Sequence, residues 1–396
     1  MSASAKTINR TRTFEEIMAI VRQIGETTIL EHADSVDKDA RFPTEAFDAI
    51  KDERLLSVFV PEAFGGDGVS VTELCKICEE FGHYDGSVAM IFAMHQIQVA
   101  CIVQNAADDA FFGRYLHELS ADQLVLASAT TEIGIGGDVR TSICAVNVDG
   151  DSFALTKKAP VISYALDSDA IMVTCRSSED AAPGDQSVVL VKTADHELEQ
   201  ISGWDTMGFR GTCSSGFILT SGGAAEQVMP VPYARVLSRS MHPVSHLTWA
   251  SLWTGLAASA VEKARNKVRE EARKQPDVAP ISALRLSEVN ELLFSMRSGL
   301  NEVVAEYERL LSLNTETAFD DYGFSIRVNN AKIRCSEMMV DIITRAMNIV
   351  GISAYRNEGK KSLARHLRDA HGAALMVNND RIRQHNTKMQ IAYKGR

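Results

Sequence analysis

The chain has 396 residues, 45% of them apolar and 23% charged, enough to bury a full core in two or three domains. Its 52 acids exceed its 41 bases for a net charge of −11, with no basic block, so the electrostatic footprint of a nucleic-acid binder is missing. The opening MSASAKTINRTRTF lacks the apolar stretch of a signal peptide and no run approaches the ~18 apolar residues of a membrane span, so a cytoplasmic protein without a membrane role is expected.

In chain order, Thr13 with Glu16 forms a capping box ahead of an apolar stripe (Ile17, Ile20, Val21, Ile24). Ser70 with Glu73 opens a second stripe (Leu74, Ile77, Cys78, Phe81). Residues 1–120 therefore read as a helical domain, interrupted by the loop VPEAFGGDG. Cys75 and Cys78 form a CxxC inside the second stripe. Without a second Cys/His pair at zinc spacing they read as buried helix residues, and the odd total of seven cysteines predicts reduced thiols.

From about Leu124 the period changes. LVLASAT, TSICAVNV, SFALTKKAPVIS, AIMVTCR and SVVLVKT are short, β-branched and separated by turn signals, which predicts a β domain over 121–235. Helical spacing returns near His246, ends before Pro276, and recurs in a second run through Leu292 to Tyr307. A third run is stopped by Gly351, and a last segment starts near Ser362. The fold class is α+β: an N-terminal helical domain, a barrel-like β domain and a C-terminal four-helix bundle over 236–396.

The segment SATTEIGIGGDVRTS, from Ser128 to Ser142, leaves a strand and enters a glycine-rich turn. Such a turn can aim N–H groups and small hydroxyls at a flat polar ring or a phosphate, although it also suits a plain connection between strands. It resembles the T-E-P-x-A-G-S-D signature of acyl-CoA dehydrogenases. The likeness continues through LLSVFVPEAFGGDGVS, GWDTMGFRGTCSS, WTGLAASAVEKA and RHLRDAHGAALMVNNDRI, in the family's order along nearly the whole chain.

That resemblance implies a flavoprotein holding FAD. It sets Ser128, Thr130 and Thr131 against the flavin ring, and Gly137 where a serine meets the CoA pyrophosphate of a substrate. Val161, Ile162 and Ser163 match a Trp-Ile-Ser/Thr strand that packs on the ring, with Ser163 keeping the hydroxyl near flavin N5. The ADP half, shared with a neighbouring subunit, falls to Arg273, to Asn348 and Gly351, and to Asn379 and Arg381, which implies a homodimer or homotetramer.

Desaturation of an acyl thioester needs a base for the α proton, a glutamate in that family. The matching positions here are Val377, which cannot move a proton, and, for a minority arrangement, Ser245, so the glutamate is missing from both. The nearest titratable groups are His246, which also reads as a helix-start histidine bonded to the backbone, and Asp380. His95, on an apolar helix bordering the family's acyl pocket, is a candidate substrate contact with a core histidine as the plainer alternative, and His371 follows the Arg-Asp-Ala motif. No residue set has metal-ligand spacing, so no metal is expected.

The function this resemblance implies is an FAD-dependent acyl-CoA (or carrier-protein thioester) dehydrogenase-like oxidoreductase acting on CH–CH groups through an atypical base. Its electrons would pass to an electron-transfer flavoprotein or O2. One alternative is a flavin-dependent monooxygenase on the same fold. Another is a non-catalytic partner subunit of a hetero-oligomeric dehydrogenase, against which the hydroxyls of Thr131 and Ser163 speak.

Overall fold

Both capping boxes start helices: the Thr13 hydroxyl accepts the Glu16 N–H at 3.2 Å, and the Ser70 hydroxyl accepts the Glu73 N–H at 3.2 Å. The computed structural model describes residues 12–274, 278–313 and 315–395. Six helices come first: α1 (Phe14–Ile24), α2 (Leu30–Asp39), α3 (Thr44–Asp52), α4 (Val71–Tyr84), α5 (Gly86–Asn105) and α6 (Ala110–Asp122). The stripes read from the sequence face inward, and Cys75 and Cys78 lie buried on α4, where burial pushes the Cys75 thiol up to about 12. The sequence reading found no run long and apolar enough to cross a membrane, yet α5 meets that test. It is a core helix, with 89% of its most apolar window buried inside the protein.

The middle region holds seven strands, β1 (Leu126–Ala129), β2 (Asn147–Asp149), β3 (Ser152–Ala159), β4 (Ala170–Arg176), β5 (Gln186–Lys192), β6 (His196–Ser202) and β7 (Gly216–Ala224). They form two sheets of order β1-β4-β5 and β2-β3-β7-β6, with β1 parallel to β4 and every other neighbouring pair antiparallel. β3 alternates buried and exposed residues, the mark of a one-sided sheet. It ends at Ala159, because Pro160 has no N–H for the ladder, so Val161 to Ser163 form a loop rather than the expected strand.

The last region comprises α7 (Tyr233–Val236), one π turn over Leu237–Met241, then α8 (His242–Lys274), α9 (Ile281–Ser312), α10 (Tyr322–Val350), α11 (Ala364–Met376) and α12 (Asn379–Ala392). Pro276, expected to stop α8, lies outside the described residues. The expected fourth helix is two. Val377 is extended at φ −125°, and the Asn378 side chain restarts the helix by accepting the N–H groups of Asp380 and Arg381 at 3.0 and 3.1 Å. α8 reaches into the N-terminal layer because Gly82 and Gly255 let it meet α4 backbone to backbone: a Cβ at Gly255 would stand 1.9 Å from the Glu79 carbonyl oxygen.

Candidate active site

A cavity of about 990 Å³ opens where the ends of the β region meet α5, the start of α8 and the α11–α12 turn. Its first wall is the Ser128–Ser142 segment. Glu132, buried under that loop, accepts the Ser142 hydroxyl at 2.7 Å and the N–H groups of Ile143 and Cys144 at 3.1 and 2.6 Å. The buried Lys157 ammonium lies 3.5 Å from the same carboxylate and donates to the Thr174 carbonyl at 2.6 Å. Burial alone would raise the Glu132 carboxyl, but the Ser142 hydroxyl, the Lys157 charge and the two amides outweigh it and hold it below the usual carboxylate range. With the stem so pinned, Ser128, Thr130 and Thr131 are held on the cavity surface.

Gly137 takes φ +78°, and a Cβ there would fall 2.3 Å from the Arg381 guanidinium, which donates to the Gly137 carbonyl at 2.9 Å. The space for the serine that the resemblance led one to expect is therefore taken by Arg381, and loop and α12 meet at the mouth. Arg140 and Lys388 line the same cavity beside Arg381, so cations outnumber Asp138, the one lining carboxylate among the described residues.

The second wall is the 204–214 loop, clamped by the Arg-Asp-Ala motif. Asp369 accepts the Phe209 N–H at 2.6 Å, while Arg368 donates to the Met207 carbonyl at 2.9 Å and pairs with Asp37. These two motifs hold each other, presenting Trp204, Met207, Phe209, Thr212 and Ser214 to the cavity. Burial, then Asp85, pushes the Asp369 carboxyl up to about 7.

The inner end is apolar and polarizable: Met90, Met94 and Ile97 from α5 and Met241 and Trp249 around the start of α8. His242, His246 and Trp249 run along one face of α8, with centroids 4.6 and 5.9 Å apart in turn. Burial depresses both imidazoles, His242 to about 4 and His246 well below its usual value, and the neighbouring His242, Lys332 and Arg140 add to the effect on His246. Their tautomers follow from their partners. His242 Nε2 donates to Asn329 Oδ1 at 2.8 Å. Ser245 spends its hydrogen on the His242 carbonyl at 3.0 Å, so at 3.1 Å it accepts from His246 Nδ1 and leaves Nε2 bare. Asp138 is the only carboxylate on the cavity wall among the described residues.

The structure gathers Ser128, Thr130, Thr131, Gly137, Val161, Ser163, His246, His371 and Arg381 around this cavity. Others lie elsewhere. His95 is wholly buried, with Nε2 donating to the Leu56 carbonyl at 2.8 Å and Nδ1 accepting the Leu126 N–H at 3.0 Å, so it is a core contact rather than a substrate contact. Asp380 points outward with its side chain 90% exposed and pairs with Arg383, which removes it from base duty. Asn379 sits one layer behind the wall, bonded to Lys332 and Ser336. Arg273, Asn348 and Gly351 are exposed and do not line the cavity. The sequence reading missed Gln98, one turn beyond His95, whose buried amide oxygen has no partner among the described residues, and Trp249, whose indole N–H is likewise unpaired among them. A polar residue three positions from a core histidine on an apolar helix was the available signal for Gln98.

Residues 11–123 match the acyl-CoA dehydrogenase N-terminal domain, and residues 243–377 match the acyl-CoA dehydrogenase C-terminal domain. The chain belongs to the acyl-CoA dehydrogenase superfamily. A probable acyl-CoA dehydrogenase of Mycobacterium leprae is 29% identical over 140 residues, so this chain spans about a third of that relative, 36% of its length and 35% of its own. Longer matches divide between chemistries. Cyclohex-1-ene-1-carbonyl-CoA dehydrogenase of Syntrophus aciditrophicus is 23% identical over 86% of this chain and 81% of its own. A probable FMNH2-dependent monooxygenase, SfnC of Pseudomonas putida, is 23% identical over 81% and 82%. Among solved structures, FMN-bound TdsC from Paenibacillus sp. A11-2 superposes with a TM-score of 0.82 at 17% identity, covering 95% of this chain and 97% of that one. Butyryl-CoA dehydrogenase from Megasphaera elsdenii gives 0.80 at 17% identity, covering 99% and 100%.

Members of this superfamily are flavin-dependent oxidoreductases, and the residues present suit such a group. The cavity lies at the upper end of the ~300–1,000 Å³ typical of ligand sites, its walls carry hydroxyls and apolar faces for a flat ring, and its mouth carries cations for a phosphate.

Proposed function

We propose that this acyl-CoA dehydrogenase-family protein is a monooxygenase that works with reduced flavin and O2 on a small, largely apolar substrate bearing one polar group. The observation that carries this reading is the pair His242 and His246, buried with ring centroids 4.6 Å apart on a wall that disfavours a charge on either and whose only lining carboxylate, among the described residues, is Asp138. Taking an α proton would place a cation on His246 beside His242, Lys332 and Arg140, in a site that disfavours that charge. Bare His246 Nε2 therefore accepts hydrogen bonds and orients a donor, but is a poor proton acceptor. A reaction without a carboxylate base fits this wall better than desaturation.

Ser128, Thr130, Thr131, Val161 and Ser163 would hold the ring, and Arg140, Arg381 and Lys388 its phosphate. Reduced flavin bound there supplies the electrons by which O2 is divided between product and water. The methionine-lined end excludes water and receives the apolar body of the substrate, while Gln98 and the Trp249 N–H bond its polar group, since a buried amide left unmatched costs about 1–3 kcal/mol. The likeness to TdsC, a dibenzothiophene monooxygenase, and to SfnC supports this reading. We also propose self-association through α9, where Ile281, Leu284 and Phe294 stand exposed.

The test is an anaerobic titration of the flavin-loaded protein with saturated acyl-CoAs from short to long chains. The reading expects the visible flavin band to persist with every one of them. Bleaching by any of them would overturn it in favour of a dehydrogenase.

A further inference from the structure

Two hydroxyls on the cavity wall have their hydrogens committed away from it. Thr131 Oγ1 donates to the Val161 carbonyl at 3.1 Å. Ser163 starts a run of three oxygen–oxygen contacts: Ser163 Oγ to Ser214 Oγ, Ser214 Oγ to Thr212 Oγ1, and Thr212 Oγ1 to the Phe209 carbonyl, each at 2.8 Å. Oxygens that close repel one another unless a hydrogen lies between them. The run has one hydrogen on each hydroxyl, enough for one per contact, and the carbonyl brings none. Thr212 must therefore donate to Phe209, Ser214 to Thr212, and Ser163 to Ser214.

No other arrangement satisfies the count, and Ser163 is left facing the cavity with lone pairs alone. The far end of the relay is fixed. The Phe209 carbonyl also accepts the Trp204 indole N–H at 3.0 Å, and the Phe209 N–H is held by Asp369 at 2.6 Å. Thr212 and Ser214 are 2% and 5% exposed, so water does not compete for their hydrogens.

A flavin ring changes its hydrogen bonding when it takes up two electrons: its central nitrogens accept in the oxidised form, and reduction puts a hydrogen on N5. We propose that Ser214 and Thr212 are positioning residues that fix Ser163, alongside Thr131, as an accept-only edge of the cavity, so that the site binds reduced flavin in preference to oxidised flavin. The proposal rests on the reading of the cavity as a flavin site and adds the residues that set its redox preference.

The experiment is calorimetric titration of the apoprotein with FMN and with dithionite-reduced FMN under anaerobic conditions, in the wild type, Ser163→Ala, Ser214→Ala, Thr212→Val and the Ser163→Ala/Ser214→Ala double variant. Thermal melts check that each is folded. The wild type should bind the reduced form more tightly. In Ser214→Ala, and again in Thr212→Val, Ser163 is released to donate, and the ratio of the two dissociation constants should shrink about fivefold to tenfold, the worth of one hydrogen bond. A tenfold change corresponds to about 30 mV in the midpoint potential of the bound two-electron couple. Once Ser163→Ala is in place, Ser214→Ala should add nothing, a non-additivity that a general structural effect would not produce. A folded Ser214→Ala with the wild-type ratio, or a wild type that favours the oxidised form, would overturn the proposal. A protein that binds neither form would overturn the flavin reading along with it.

Discussion

Acidification from pH 8 to pH 5 should cost the fold about 2 kcal/mol through His95 alone. The ring is wholly buried, and both nitrogens are engaged. Nδ1 must stay bare to accept the Leu126 N–H at 3.0 Å, so a second proton would break that bond and bury a cation. Burial accordingly depresses its pKa from 6.5 to about 4. The sign follows: the unfolded chain takes up a proton as the pH falls through 6.5, whereas the folded chain resists until about 4, so stability is full above the first value and is lost between the two. At ~1.4 kcal/mol per pH unit, the loss at pH 5 is about 2 kcal/mol. The assay is urea unfolding followed by circular dichroism at both pH values, comparing wild type with His95→Gln, which can donate and accept but not titrate. The variant should be less stable at pH 8, yet its loss on acidification should be smaller by about 2 kcal/mol. Other titrating groups, such as His242 depressed to about 4 and Asp369 raised to about 7, act in both proteins and cancel. Equal losses would refute the argument and return His95 to a solvent-reached cavity.

Three further substitutions test the site's scaffold. Lys332, wholly buried, donates to the Val377 carbonyl and, at 2.7 Å, to Asn379 Oδ1, so Lys332→Met should orphan the Val377 carbonyl, leave Asn379 Oδ1 only a 3.5 Å contact with the Ser336 hydroxyl, and lower urea stability by about 3 kcal/mol; an unchanged midpoint would contradict this. Gly137→Ser should push the Arg381 guanidinium off the Gly137 carbonyl and strain a backbone at φ +78°, costing about 1 kcal/mol. Faster proteolysis across residues 130–142 would register the change, and wild-type resistance would count against it. Asp380→Asn should change stability by less than ~0.5 kcal/mol and leave flavin affinity intact, because the carboxylate is exposed and its pairing with Arg383 is a surface contact. A large loss of flavin affinity in that variant would restore Asp380 to the cavity.

Much of the fold was legible because its signals are local. The capping boxes, the apolar stripes of α1 and α4 and the strands β4 and β5 depend on a few neighbouring residues, and each occurs where the spacing put it. The misjudged element ends have local causes too, Pro160 cutting β3 and Asn378 splitting the last helical segment. The site was legible only where one segment carries several of its residues, as Ser128 to Thr131 do. His95 and Gln98 sit three residues apart on the same apolar helix, and which one faces the cavity is set by how α5 meets β1, through the Leu126 N–H. The relay of Ser163, Ser214 and Thr212 joins segments 51 residues apart in the chain, so only the fold brings it together. Proton placement on His246 depends on where Ser245 sends its single hydrogen, which no spacing reveals.

The most direct test of the central claim is isotopic. The protein is supplied with FMN, a flavin reductase and NADH under 18O2, with dibenzothiophene as trial substrate and an acyl-CoA alongside. The account predicts a product carrying a single atom of 18O, formed only when reduced flavin and O2 are both present. An unlabelled α,β-unsaturated thioester, formed equally well without O2, would contradict it.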